Sequence, residues 1–344
     1  MTDLLDQLNK QKRRVDFDTF DLSVREIVGM VGDDLINIAP EYQRQFRWNS
    51  ERESTFIESV FLGIPIPSIF MAANEDGSWE LIDGVQRVST LIHFVGNQES
   101  LISIGKSQQL MLTGLEKLSL FNGFTFDELS TVVKTQIILK PLKVITITDK
   151  SDFQVRFDLF ERLNTGGILL TDQEIRACIY RGKFNDMLRT LSNNADFKSV
   201  VKLPREAESN GTREEHVLRF FSFLNCYNLF DHSVKTFLTD YMAASSKSFK
   251  YKANIELFEN VFDVLAKALP QGITRGRQST PVNLYEAIVV GAALALKKKP
   301  NINVVDIKDW MQSEELKSYT TGATNSKSMV TKRIHFARDR FLSK

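Results

Sequence analysis

The spacing of apolar residues changes near residue 180, and that change restricts the chain to a mixed α/β segment followed by a helical one. In the first part, residues 68–73 and 78–82 are short β-prone runs. They flank Asn74-Glu75-Asp76-Gly77, whose Asp-Gly step offers the positive φ that a tight hairpin needs. Residues 144–148 form a further β-rich run, and a helix carrying Phe153, Phe157 and Phe160 follows it. Three capping boxes, Ser23 with Glu26, Ser50 with Glu53 and Thr171 with Glu174, mark helix starts, because each side chain satisfies the other end's orphan amide. After the second box Phe56, Val60 and Phe61 recur at helical spacing. Beyond Arg181, residues 217–227, 255–269, 284–296 and 330–341 all have helical periodicity. The expected organisation is α+β, with a domain over 1–180 and an α-helical domain over 181–344.

The chain has 344 residues, 42% hydrophobic and 25% charged, enough for two ordinary domains or one large one, which excludes a disordered or fibrous class. Lys and Arg total 44 against 43 Asp and Glu, a net charge of +1, so no whole-molecule field draws the protein to nucleic acid or lipid. Any anion site must be local. Cys178 and Cys226 match neither a disulfide framework nor a zinc spacing, which suits a reducing compartment and makes the cytoplasm the expected location. The opening MTDLLDQLNKQKRR has no apolar stretch of the kind a signal peptide requires, so export is not expected. The longest apolar run, 287–296, falls short of the roughly 20 residues that span a bilayer and reads as a buried helix with no membrane partner.

The chemistry concentrates in three stretches. Leu81-Ile82-Asp83-Gly84-Val85-Gln86-Arg87 reads as a strand end, a sharp turn and a helix start, a junction that aims backbone N–H groups and the positive end of a helix dipole at one spot. A solvent-facing Arg87 on the first turn adds a fork for phosphate oxygens. Asp83 beside a phosphate would need a bridging Mg²⁺ or an ordered water. The plainer alternative is that Asp83 caps the helix and pairs with Arg87. Pro40-Glu41-Tyr42-Gln43-Arg44-Gln45-Phe46-Arg47-Trp48 mixes amides, guanidinium groups and aromatic rings, as stacking a base and clamping an anion require, though the rings also serve as core anchors. Arg162-Leu163-Asn164-Thr165-Gly166-Gly167, before Glu174-Ile175-Arg176, is either a second backbone nest for an anion or a helix C-cap.

Taken in order, these stretches resemble the N-terminal domain family of GmrSD-type restriction endonucleases, and residues 213–223, Arg-Glu-Glu-His-Val-Leu-Arg-Phe-Phe-Ser-Phe, resemble that family's helical continuation. The resemblance implies a ParB/sulfiredoxin-like α/β core, Mg²⁺-dependent hydrolysis of an NTP (GTP, CTP, UTP or ATP) and a role in sensing or restricting foreign, often modified, DNA. It implies catalytic roles for Asp83, Arg87, Gln86 and Arg44, with Asp83 also the metal ligand. It places nucleotide-binding groups at Tyr42, Gln43, Trp48, Gly84, Arg162, Asn164, Thr165 and Gly166. Val85 stands where the family has its first glutamine, which bears on turnover more than on binding. A DNA-binding adaptor with a non-hydrolysing nucleotide switch and a ParB-like nuclease are the alternative functions.

No ββα-metal nuclease motif is legible, because His93, His216, His232 and His335 are scattered and His93 lies on an apolar helix face. The resemblance implies a nucleotide and DNA as partners, and the missing nuclease motif adds a separate nuclease subunit, with a homo-oligomer left open. Residues 322–328 lack the glycine before the lysine that a phosphate-binding P-loop requires and read as a polar loop. From Thr321 on, Lys327, Lys332, Arg333, Arg338, Arg340 and Lys344 face one acid, Asp339, which nominates the last helix for a DNA-backbone contact. Arg275 and Arg277, in an expected mobile loop, are the second such candidate.

Overall fold

The computed structural model describes residues 4–6, 15–38, 48–74, 76–148, 170–208, 210–276, 279–322 and 324–343, with 151, 155, 158, 159 and 162 as isolated positions. The chain divides into two compact units, Met1–Leu169 and Leu170–Lys344.

The first unit is built on one five-stranded sheet in the order β1-β5-β3-β4-β2, where β1 is Phe17–Ser23, β2 Ile36–Asn37, β3 Ile69–Ala73, β4 Trp79–Asp83 and β5 Pro141–Ile147. The sheet is mixed: β1 with β5 and β3 with β4 are antiparallel, whereas β3 with β5 and β2 with β4 are parallel. Five helices accompany it: α1 (Val24–Gly32), α2 (Ser50–Leu62), α3 (Val85–Val95), α4 (Gln98–Ser103) and α5 (Thr131–Ile138). α1 and α2 both pack against α3, which runs through the middle of the core with Val88, Leu91, Ile92 and Phe94 fully enclosed. The hairpin turn lies where the Asp-Gly step places it, with Gly77 at φ 83° and its N–H on Asn74 O.

Two of the three capping boxes form as expected, at Ser23 for α1 and at Thr171. The third does not. Asn49 caps α2 through the Arg52 N–H, and Glu53 turns inward, 1% exposed, because a buried imidazole waits for it. The helix expected around Phe153, Phe157 and Phe160 lies outside the described residues.

The second unit is helical among its described residues: α6 (Asp172–Ile179), α7 (Lys183–Ser192), α8 (Ala195–Val200), α9 (Thr212–Cys226), α10 (Val234–Lys247), α11 (Tyr251–Ala268), α12 (Val282–Leu296), α13 (Ile307–Trp310), α14 (Glu314–Thr320) and α15 (Lys327–Leu342). It begins at Leu170, earlier than the expected 181, because α6 is tied to α9: Thr171 Oγ1 donates to Asn210 O at 2.7 Å and Arg176 Nη2 to Glu215 Oε2 at 2.6 Å. α12 is buried almost all round and lies close against α15, where a Cβ at Gly291 would come within 2.6 Å of Ala337 Cβ. No helix among the described residues is long and apolar enough to cross a membrane.

Candidate functional site

The candidate site is assembled where β4 meets α3. The β3–β4 register passes from Phe70 opposite Asp83 to Met71 opposite Leu81, so two residues of β4 span one step of β3. Strand side chains alternate faces, so this one-residue bulge re-aims the Asp83 carboxylate relative to an unbroken ladder. Gly84 follows at φ 110°, a left-handed conformation that only glycine adopts cheaply, and it is also sterically confined. A Cβ there would lie 3.3 Å from Ile69 Cγ1 and Cγ2 and 3.4 Å from Arg87 Nη2. Gly84 is the N-cap of α3 and no side chain caps the helix, so its first-turn amides carry the positive end of the helix dipole uncompensated by a cap.

The Asp83 side chain is 36% exposed and the Arg87 side chain 11%. Arg87 Nη2 donates to Asp83 Oδ2 at 2.6 Å, while Nη1 donates to Ser68 O at 3.1 Å and to Pro67 O. Burial lowers the Arg87 pKa, opposed by the nearby Asp83 carboxylate. The expectation of a solvent-facing arginine is thus corrected: the guanidinium is drawn into the protein by a carboxylate and two loop carbonyls. Val85, in the position of the family's first glutamine, is buried in the core, 7% exposed.

The first motif reaches this corner through one hydrogen bond. Trp48 N–H donates to Gln86 Oε1 at 3.2 Å, joining residues 38 positions apart. The Trp48 ring meets Phe56 edge-on with centroids 5.7 Å apart, and the Arg52 guanidinium lies 5.1 Å from its centroid. Trp48, Arg52, Thr55, Phe56 and Ser59 line an open hollow of about 480 Å³ along α2. Tyr42, Gln43, Arg44, Asn164, Thr165 and Gly166 lie outside the described residues, and Arg162 is exposed in the first unit. The structure therefore brings together Trp48, Asp83, Gly84, Gln86 and Arg87. Reading the sequence missed Arg52 and the Pro67 and Ser68 carbonyls. The only legible hint was the Pro-x-Pro run before β3, whose prolines lack N–H groups.

Among the described residues no group of three or more His, Cys, Asp and Glu side chains is placed to hold a metal ion. In the second unit, the basic face expected on α15 is smaller than its sequence suggests. Arg333 is fully buried and donates to Glu286 Oε2 and to Thr324 O, because the α12 core contains a carboxylate that needs a partner. Arg275 is likewise held, through Met311 O at 2.9 Å and Thr320 Oγ1 at 2.8 Å, and is not a free docking cation; Arg277 lies outside the described residues. The carboxylates and guanidiniums of Arg176, Glu215, Arg219, Glu286 and Arg333 form one continuous chain of contacts from α6 through α9 and α12 to α15. Arg176, from the stretch after the Asn164–Gly167 motif, and Glu215, from the helical continuation, are thus joined to internal packing.

No curated protein and no solved structure matches the chain. A family model described as the GmrSD restriction endonuclease, N-terminal domain, matches residues 25–181, a span that contains the bulge, the Asp83–Gly84 turn, α3 and the Trp48 tether. It reaches past the first compact unit to include α6. Residues 25–181 of this chain are therefore a GmrSD restriction endonuclease N-terminal domain.

Proposed function

We propose that the protein is an NTP-binding, NTP-hydrolysing sensor or regulatory subunit of a restriction-type defence system acting on foreign or modified DNA. The observation that carries this reading is the Trp48–Gln86 hydrogen bond, which holds the aromatic end of one motif against the strand–turn–helix corner of another. In this reading the uncapped first-turn amides of α3 hold phosphate oxygens, Trp48 and the hollow beside it face the base, and Arg44 and Arg162 supply further positive charge. The mixed sheet is read as a ParB/sulfiredoxin-like core.

Mg²⁺ fits the corner in a limited way. It commonly takes one or two carboxylates and completes its shell with water and nucleotide phosphates, and Asp83, partly exposed at the end of β4, is one such carboxylate. When bound, the ion would neutralise charge developing on the phosphates. Asp83 would hold it, and Gln86 would orient groups beside it.

Buried Val85 favours a second reading, an adaptor whose nucleotide pocket switches without turnover, since that position contributes an apolar side chain to the core and no polar group to the site. Titration of each NTP with Mg²⁺ against the purified protein, together with phosphate release, separates the readings. Binding with release supports the first and binding without release the second. Binding of none of the four overturns both. The expected cleavage result is intact plain and modified plasmid while phosphate is released, because cutting is assigned to another chain. Cutting by this protein alone, abolished in Asp83→Ala, would replace the proposal with the ParB-like nuclease.

A further inference from the structure

Between α2 and β3 the chain reads Gly63-Ile64-Pro65-Ile66-Pro67-Ser68. Pro65 and Pro67 have no N–H, so this segment offers carbonyl acceptors with fewer donors of its own. Two of those carbonyls, Pro67 O and Ser68 O, accept from Arg87 Nη1. The other terminal nitrogen of the same guanidinium holds Asp83 Oδ2. Arg87 Nη2 and the Ile69 side chain also close on Gly84, so that a Cβ there would sit only 3.3 to 3.4 Å from them. One planar group therefore joins the entry to β3, the end of β4 and the first turn of α3. We infer that Arg87 is a positioning residue: its guanidinium clamps the Pro67–Ser68 strand entry to the Asp83–Gly84 turn, and so sets the carboxylate and the α3 amides that a nucleotide would meet.

This assignment rests on the proposed nucleotide site for its functional consequence, and it gives Arg87 a different part there from that of a phosphate ligand. The geometry demands a fork. A lysine ammonium carries the same charge on one atom and cannot reach two carbonyls and a carboxylate that approach from different sides. A phosphate ligand, in contrast, would leave the loop untouched when removed, and one acting as a point charge would be largely replaced by lysine.

The test uses Arg87→Lys and Arg87→Gln, both milder than truncation, with amide hydrogen exchange on the nucleotide-free protein and binding of a fluorescent NTP analogue with Mg²⁺. In both variants exchange over residues 68–71 and 83–87 is expected to rise about tenfold while Leu91 and Ile92 keep wild-type protection, which shows that the domain remains folded. Both are also expected to bind the analogue about tenfold more weakly. Unchanged exchange over those residues overturns the clamp. Wild-type affinity in Arg87→Lys also overturns it, in favour of a point-charge ligand. Faster exchange with unchanged affinity in both variants reduces Arg87 to a merely structural contact and overturns the positioning role. If the wild-type protein binds no NTP, the proposed function falls, while the exchange of Arg87→Lys still decides whether the guanidinium holds the loop.

Discussion

Glu53 Oε1 on α2 lies 2.8 Å from His93 Nδ1 on α3, and both side chains are buried. The two helices that deliver Trp48 and the Asp83–Gly84 turn are thus joined by a polar contact inside an apolar core. Removing either partner takes this contact from a buried polar group. His93→Ala is expected to cost about 3 to 5 kcal/mol, read from urea unfolding, and the double variant with Glu53→Ala to cost less than the sum of the singles. Strict additivity would show that the two groups do not interact.

Gly84→Ala is expected to destabilise the protein by about 1 to 3 kcal/mol, because alanine at φ 110° is strained and its Cβ meets Ile69 and Arg87. Gly77→Ala, also at positive φ but with open space around it, separates the two contributions. Thermal melting in which Gly84→Ala costs no more than Gly77→Ala would remove the steric part of this account.

Glu286 accepts from Arg219 Nη1 at 2.7 Å and from Arg333 Nη2, and all of its own surface is buried. Glu286→Ala takes the shared carboxylate from the fully buried Arg333, which keeps the Thr324 carbonyl, and from Arg219, which keeps Glu215, and is expected to cost about 3 to 5 kcal/mol. Replacing an exposed carboxylate of the same unit, Glu314→Ala, is expected to change stability by less than about 0.5 kcal/mol. Equal losses in the two variants would contradict the buried ion chain.

Burial pushes the His216 pKa down to about 4, against the opposing effect of its hydrogen bond to Thr212 O. The native state therefore keeps this ring neutral at pH values where the unfolded chain binds a proton. The stabilisation is complete above the ordinary value of 6.5 and is lost as the pH falls from 6.5 to about 4, in total about 3 kcal/mol. Unfolding free energies measured across that window should decline less steeply in His216→Gln. An unchanged decline would assign the acid sensitivity to other groups.

Local chemistry was legible without the fold. The caps at Ser23 and Thr171, the hairpin turn at Gly77 and the helical second half involve groups within a few positions of one another, so their preferences act before any distant contact forms. The Asp83–Gly84 turn belongs to the same class, since a strand end, a glycine and a helix start are neighbours in sequence. What these residues do was decided by partners far along the chain. Glu53 could cap its own helix, yet His93, 40 residues away, takes it inward. Arg87 looks like an exposed anion fork until Pro67 and Ser68 are brought beside it, and Arg333 and Arg275 look like free cations until Glu286, Met311 and Thr320 are placed. Edge strand β1 and the bulge in β4 are set by pairing register, which periodicity within one segment does not contain. Residue types and short spacings determined which elements could form, and tertiary packing determined which charges were left to face solvent, because a buried charge takes whatever partner the fold brings within reach.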